Sequence, residues 1–370
     1  MLDLEKITTT TQRNCHISDA RHAGNDTMCI FLLKMREYFR WEQRIPYTGK
    51  LPKEALGEWL VAREALWSEV EENDYQPLPL LTDTDPLDAT AINQVLIPEG
   101  YIYSSGYGVF SKPHFFVGQL LRTESLDGST LYVAGKELAR DLVAPPAMSQ
   151  NTGEQSNTIF IRQESVRRFL WERIEQWQWS GKKERAMNHA IDCYGGSDDM
   201  DSLIQTMSDN EINTMILHEI GEVRAGKDLG ADGQSQWQHM VQQFSASRTE
   251  FLLRAARDIA ADCTVTLPTL LNNENDAALH FYFANYSSMR KHLYPEMLEA
   301  YYHWLDHRST DRLVELIKHG SDLWQSRIQQ VVDTWKNEGQ KDVEQITKAD
   351  RLRMSRSLQK KQNPRHAKAA

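Results

Sequence analysis

From Gln163 to Asn337 the sequence is written almost without a break in helical periodicity, and this restricts the fold more than any other feature. Apolar residues recur three and four apart in Glu164 to Trp179, Met200 to Ala225, Gln234 to Phe244, Thr249 to Leu271, Ala277 to Ser287, Met289 to Asp306, Thr310 to His319 and Leu323 to Asn337. Such amphipathic segments, joined by short polar connections, bury their apolar faces only against one another. They predict an antiparallel helical bundle over residues 163–340. Pro268 should end or kink its segment, because it lacks an N–H and its ring strikes the carbonyl four residues back. No repeat of fixed period runs through the chain.

The N-terminal part reads differently. Residues 1–24 are polar and unpatterned and are expected to be poorly ordered. A helix is predicted from Asn25 or Asp26 to Trp41 and a second from Pro52 to about Glu72, before Pro77, Pro79 and Pro86 break regular structure. Tyr101–Tyr103, Phe115–Val117 and Ile159–Ile161 read as strands. Gly118–Arg122 and Thr130–Val133 form a hairpin turned at Leu126-Asp127-Gly128-Ser129. The expected fold is therefore mainly α, a small α+β N-terminal region (25–162) followed by the antiparallel helical bundle (163–340) and a basic, disordered tail (341–370).

Several function classes recede. No stretch approaches the roughly 20 apolar residues of a membrane helix, so no membrane association is expected. The start of the chain has neither a basic n-region nor an apolar h-region, so cytoplasm is the expected location. Cys15, Cys29, Cys193 and Cys263 are scattered and form no C-x-x-C pair, which argues against disulfides and thiolate zinc sites. Net charge is −10, yet Ile346 to Ala370 holds eight basic residues against one acid, Asp350, leaving −17 on the rest. An acidic body repels nucleic acid, and no aromatic interleaving supports nucleic-acid binding; the tail suits an acidic protein partner.

The sharpest chemical signal is His218-Glu219-Ile220-Gly221-Glu222, inside a long helical segment. Residues four apart share a helical face, so His218 and Glu222 can offer an imidazole nitrogen and a carboxylate to one cation, with Glu219 as a base beside them. Asp258 and Asp262 are again four apart, on a partly apolar stripe where carboxylates need a cation or an arginine. His280 lies in the apolar run Ala277–Phe283 and needs a buried partner. Together His218, Glu222, Asp258, Asp262 and His280 would form a carboxylate-plus-imidazole centre suited to a divalent metal: iron, manganese or zinc. The spacing is not the Glu-x-x-His of helical di-iron centres. The bland alternatives are a solvated His218/Glu222 pair, arginine-compensated aspartates and a core histidine.

Other features are weaker. Ser104-Ser105-Gly106-Tyr107-Gly108-Val109 with Ser111-Lys112-Pro113-His114 lacks the spacing of a phosphate loop and reads as a structural turn. Trp171, Trp177 and Trp179 read as packing residues.

Trp41-Glu42 with Pro46, Trp59–Glu64, Lys112–Phe116, Ala139–Met148, His218–Glu222 and His280–Asn285 together resemble a family of conserved hypothetical bacterial proteins. The resemblance spans roughly residues 25–305 and implies bacterial origin. It carries over no activity, cofactor or catalytic residue. From the residues themselves, two functional expectations follow. The first is a metal-dependent enzyme, an oxidoreductase acting on an unidentified small-molecule substrate. The second is a non-catalytic binding or assembly protein that recruits an acidic partner through its tail.

Overall fold

A computed structural model describes residues 2–80, 82–151, 157–230, 232–286 and 288–348. It opens with a helix where disorder was expected: α1 spans Leu4–His22, capped by the Asp3 side chain on the Lys6 N–H. The helical stripe is there in the sequence, at Ile7, Thr11, Cys15 and Ser18, but half of it is polar. Those polar residues are buried because the core supplies partners. Asn14 bonds the Gln76 backbone through both ends of its amide, and Ser18 donates to the Pro113 carbonyl. Hydrophobic periodicity cannot register a helix whose buried face is paid for in hydrogen bonds.

Helices α2 (Met28–Glu42) and α3 (Lys53–Val70) follow as the patterning predicts. After the short strands β1 (Leu78–Pro79) and β2 (Asp83–Thr84), α4 (Ala89–Leu96) leads into a five-stranded sheet. Its strands are β3 (Tyr101–Tyr107), β4 (Pro113–Leu126), β5 (Ser129–Arg140), β6 (Ala147–Asn151) and β7 (Asn157–Arg162), in the order β3-β4-β5-β7-β6. The two sequence segments at Phe115 and Gly118 are one long strand. The β4–β5 hairpin closes on the Leu126↔Ser129 pair, at the predicted turn. Strand β7 runs parallel to β5, with β6 antiparallel at the edge.

The remaining helices are α5 (Gln163–Trp179), α6 (Arg185–Cys193), α7 (Met200–Asp228), α8 (Gly233–Gln242), α9 (Arg248–Ala261), α10 (Leu267–Asn272), α11 (Asp276–Ala284), α12 (Ser288–Leu293), α13 (Pro295–His307), α14 (Asp311–Asn337) and α15 (Gln340–Lys348). The architecture is thus mainly α, with an α+β region preceding a helical one. Two compact units divide it: residues 1–184 with 191–219, and residues 185–190 with 220 onward. The division falls within α6 and α7.

In the first unit, the core of the sheet holds an ion cluster. Glu137 on β5 is fully buried and accepts from Arg162 Nε and Nη2 (3.2 and 3.0 Å) and from Ser165 Oγ (2.6 Å), with Arg140 Nη1 at 3.5 Å. Burial alone would push the Glu137 carboxyl up; Arg162 and Arg140 hold it below the usual carboxylate range. Ser165 is on α5, so α5 is fixed to the sheet and belongs to this unit. Arg168 fixes it further, donating to the carbonyls of Val143 and Ala144. Trp171 and Trp177 are buried, as packing residues should be, whereas Trp179 is 61% exposed.

In the second unit, the segment predicted to end or kink at Pro268 passes through a π-turn, Asp262–Thr266, between α9 and α10 and ends at Asn272. The Leu267 N–H reaches back five residues to the Asp262 carbonyl. Widening the helix here makes room for the proline ring, and such insertions relieve strain that a regular α-helix would carry. The two segments expected on either side of Gly320 are one helix, α14. Glycine is needed at that point for packing: a Cβ there would lie 2.8 Å from Cys263 Sγ and 3.0 Å from Tyr294 Cε1. Helix α15 corrects the expected start of the tail, since Val343 and Thr347 are buried and Thr347 Oγ1 bonds Thr249 Oγ1 at 3.0 Å. The rest of the basic tail lies outside the described residues. No helix of the described residues is long and apolar enough to cross a membrane. All four cysteines are free thiols, Cys15 and Cys263 buried, Cys29 and Cys193 exposed.

Candidate metal centre

The end of α7 owes its position to Gly221. A Cβ at Gly221 would stand 2.6 Å from the Ala261 carbonyl oxygen and 2.9 Å from its Cα, distances no side chain can occupy. Glycine therefore lets α7 and α9 meet backbone to backbone, and this contact carries Glu222 to Arg257 and Asp258. His218 leaves the same face of α7 one turn earlier. One donor atom each from His218, Glu222 and Asp258 lies within 4.8 Å of the other two, and all three side chains are partly exposed. Ligands at about 2.0–2.2 Å from a metal stand roughly 3–4.4 Å apart, so small side-chain rotations would bring this group onto one ion.

Arg257 has a large part in the arrangement. Its Nε is 2.6 Å from Glu222 Oε2, an ion pair in which the N–H is not aimed at the oxygen. Its Nη2 donates to the Glu222 carbonyl (2.8 Å) and to Gln234 Oε1, and the guanidinium lies over Trp237. A carboxylate offers about four lone-pair directions, so pairing with Arg257 leaves Glu222 capacity for a cation.

The full five-residue ligand set is not brought together. Asp262, 1% exposed, accepts from Tyr282 Oη at 2.8 Å and pairs with Arg290 Nη1 at 3.2 Å. Burial opposes charge on Arg290, but Tyr282, Asp262 and Asp258 outweigh it and raise its pKa. The arginine alternative thus describes Asp262. His280 is held in an aromatic stack, 4.9 Å from Trp304 and 5.1 Å from His189, with Nδ1 3.0 Å from Tyr301 Oη. Burial, with His189 and Arg308, pushes its pKa down to about 4, keeping it neutral. It is a satisfied core histidine. Glu219 is 7% exposed and outside the three-donor group. One residue on from His218, it leaves the helix about 100° round from that ligand.

The sequence signal missed two things that build this site. Gly221 stands inside the motif but reads as a neutral position until a second backbone is known to lie against it. Arg257 and Arg290 are ordinary surface residues by pattern, and only the fold turns them onto carboxylates. The chain turns between β3 and β4 at Gly108–Lys112, where the Gly108 N–H bonds the Lys112 carbonyl at 2.9 Å, and Lys112 is buried against Asp19.

Searches among curated proteins and among solved structures returned no match. The N-terminal domain of a family of unknown function (DUF6866) matches residues 6–162, and the C-terminal domain of the same family matches residues 167–351. The match extends past both ends of the resemblance read from the motifs, and the chain belongs to the DUF6866 family.

Proposed function

We propose that the protein is a metal-dependent enzyme whose divalent ion is held by His218, Glu222 and Asp258. The observation that carries this reading is the approach of their donor atoms to within 4.8 Å of one another. One imidazole and two carboxylates suit iron, manganese or zinc. Three protein ligands leave coordination positions for water and substrate, as catalytic rather than structural sites do. Iron or manganese would favour oxidoreductase chemistry on a small molecule, and zinc would favour hydrolysis. Elemental analysis of purified wild type beside His218→Ala tests it. About one equivalent of metal per chain, lost in the variant, is expected; metal-free wild type from metal-supplemented growth would refute it.

A second reading rests on the arginines. Arg257 on Glu222 and Arg290 on Asp262 supply positive charge without an ion. Under it, the cluster fastens α7 to α9 in a non-catalytic binding or assembly protein, whose basic tail would recruit an acidic partner. Deleting residues 349–370 would then abolish capture of that partner, while metal content would stay at background in every variant.

A further inference from the structure

Helix α2 begins Met28-Cys29-Ile30-Phe31-Leu32-Leu33, six apolar residues in a row, and five of them are exposed. Met28 is 70% exposed, Ile30 47%, Leu32 46% and Leu33 40%, with the free Cys29 among them. Phe31 is half-buried, edge-on to Trp67 at 6.1 Å. At about 100° per residue the exposed five occupy one unbroken arc of about 200°, in the order Met28, Leu32, Cys29, Leu33, Ile30. A surface helix ordinarily turns one apolar stripe to the core and polar residues to water. Helix α2 already has its core stripe in Met35, Tyr38 and Phe39. The outward arc is a second apolar face.

This face continues onto α5. One turn past Leu32 and Leu33, the Arg36 guanidinium lies over the Trp179 ring, 5.5 Å from its centroid, and Trp179 is itself exposed. The ionic groups along the face are paired within the chain: Lys34 Nζ with Asp26 at 2.7 Å, and Arg36 with Glu37 at 2.9 Å and with Glu175. Together α2 and Trp179 expose apolar surface on the order of 500 Å², within the range of the largest patch on a monomer, which is often functional. Each partner of a standard interface contributes about 800 Å², of which about 65% is apolar in homodimers. The patch therefore has the area of the apolar part of one such half.

We propose that this face is the two-fold interface of a homodimer, with α2 of one copy laid against α2 of the second and Trp179 at the margin. Two observations favour a second copy of this chain as the occupant. A two-fold contact sets a patch against itself, so the apolar arc meets an apolar arc of the same size. Each chain also carries a net charge of −10, so two copies repel except where the meeting surfaces are neutral. The face of α2, its ionic groups already paired, is such a surface. A nucleic acid or a strongly charged peptide would find no excess of opposite charge there to hold it. Cys29 lies in the middle of the arc, so the two Cys29 thiols of the dimer stand near its axis.

Sedimentation velocity of the full chain over about 1–100 μM tests this, and wild type should form dimers within that range. Leu33→Glu places a carboxylate from each copy in the interface and should weaken association at least about 100-fold, with an unchanged circular dichroism spectrum. Val314→Glu, at an apolar position on α14 that is 50% exposed, should dimerise as wild type does. Raising NaCl from about 50 to 500 mM should leave the dimer as tight or tighter, since the contact is apolar and salt screens the mutual repulsion. In wild type a short bismaleimide should join Cys29 to Cys29, although Cys193 is exposed as well. Wild type that stays monomeric at about 100 μM overturns the proposal and leaves the face to another occupant. Undiminished dimers in Leu33→Glu, a dimer loosened about tenfold by salt, or cross-links at Cys193 in place of Cys29 overturn it as well.

Discussion

Asp262→Ala separates a structural carboxylate from a ligating one, and its cost can be worked from the contacts. Asp262 is 1% exposed and receives the Tyr282 hydroxyl at 2.8 Å and Arg290 Nη1 at 3.2 Å. Removing the acceptor strands a phenol in the core, a charge-assisted bond whose loss costs about 1.5–3 kcal/mol. The Arg290 side chain is 23% exposed, so water recovers part of its solvation and its share falls to about 1 kcal/mol. The total is about 3 kcal/mol, which for a unit of this size lowers the melting temperature by about 6–12 °C. Thermal unfolding followed by circular dichroism at pH 7 measures it. Combining the change with Arg290→Met should cost at least about 0.5–1 kcal/mol less than the two separate losses, because the charges are lost together. Metal content should not change. A stability loss under about 0.5 kcal/mol, or loss of metal as complete as in His218→Ala, would refute the reasoning.

Other predictions follow from buried titrating groups and from close backbone approaches. Glu211, buried with Tyr194 Oη 2.5 Å from Oε1, is pushed up to about 8 by burial, against the pull of that hydrogen bond. The folded state keeps a proton that the unfolded state releases above its ordinary value of 4.5, so this contribution is full below pH 4.5 and lost as pH rises through 8. Stability should fall by about 3–5 kcal/mol over that window in wild type and stay flatter in Glu211→Gln; equal pH slopes in denaturant titrations would count against the assignment. His280 has the opposite sign: its pKa of about 4 lies below the ordinary 6.5, so its contribution is present above pH 6.5 and is lost toward pH 4. His280→Phe should remove about 1–2 kcal/mol of that acid sensitivity, again by denaturant titration. Gly221→Ala places a methyl against the Ala261 carbonyl and should cost about 1–3 kcal/mol while weakening metal affinity, since α7 must move off α9. Unchanged affinity by equilibrium dialysis would detach the helix contact from the site.

How much of this was readable in the sequence depends on where each signal lives. The β4–β5 hairpin was legible because its turn is local chemistry, Asp127 and Gly128 both adopting positive φ (52° and 72°). The helices α5, α7 and α9 were legible because their apolar stripes are long. Helix α1 was not, because its buried face is written in threonine, asparagine, serine and aspartate whose partners lie as far off as Gln76 and Pro113. Gly320 looked like a helix end, since a glycine's packing role depends on Cys263 and Tyr294, remote in sequence. At the candidate site, His218 and Glu222 follow from helix geometry alone, whereas the choice of Asp258 over Asp262 turns on where Arg290 falls. His280 was drawn toward the metal by its burial; the rings of Trp304 and His189 account for that burial without one.

The three-donor centre is tested most directly by titrating metal-free protein with Co2+ and recording the visible absorption of the bound ion in wild type, Asp258→Asn and Asp262→Asn. Saturable bands at about one equivalent in wild type and Asp262→Asn, and their loss in Asp258→Asn, are the predicted result. Wild type that develops no saturable band, or a loss in Asp262→Asn equal to that in Asp258→Asn, would contradict it.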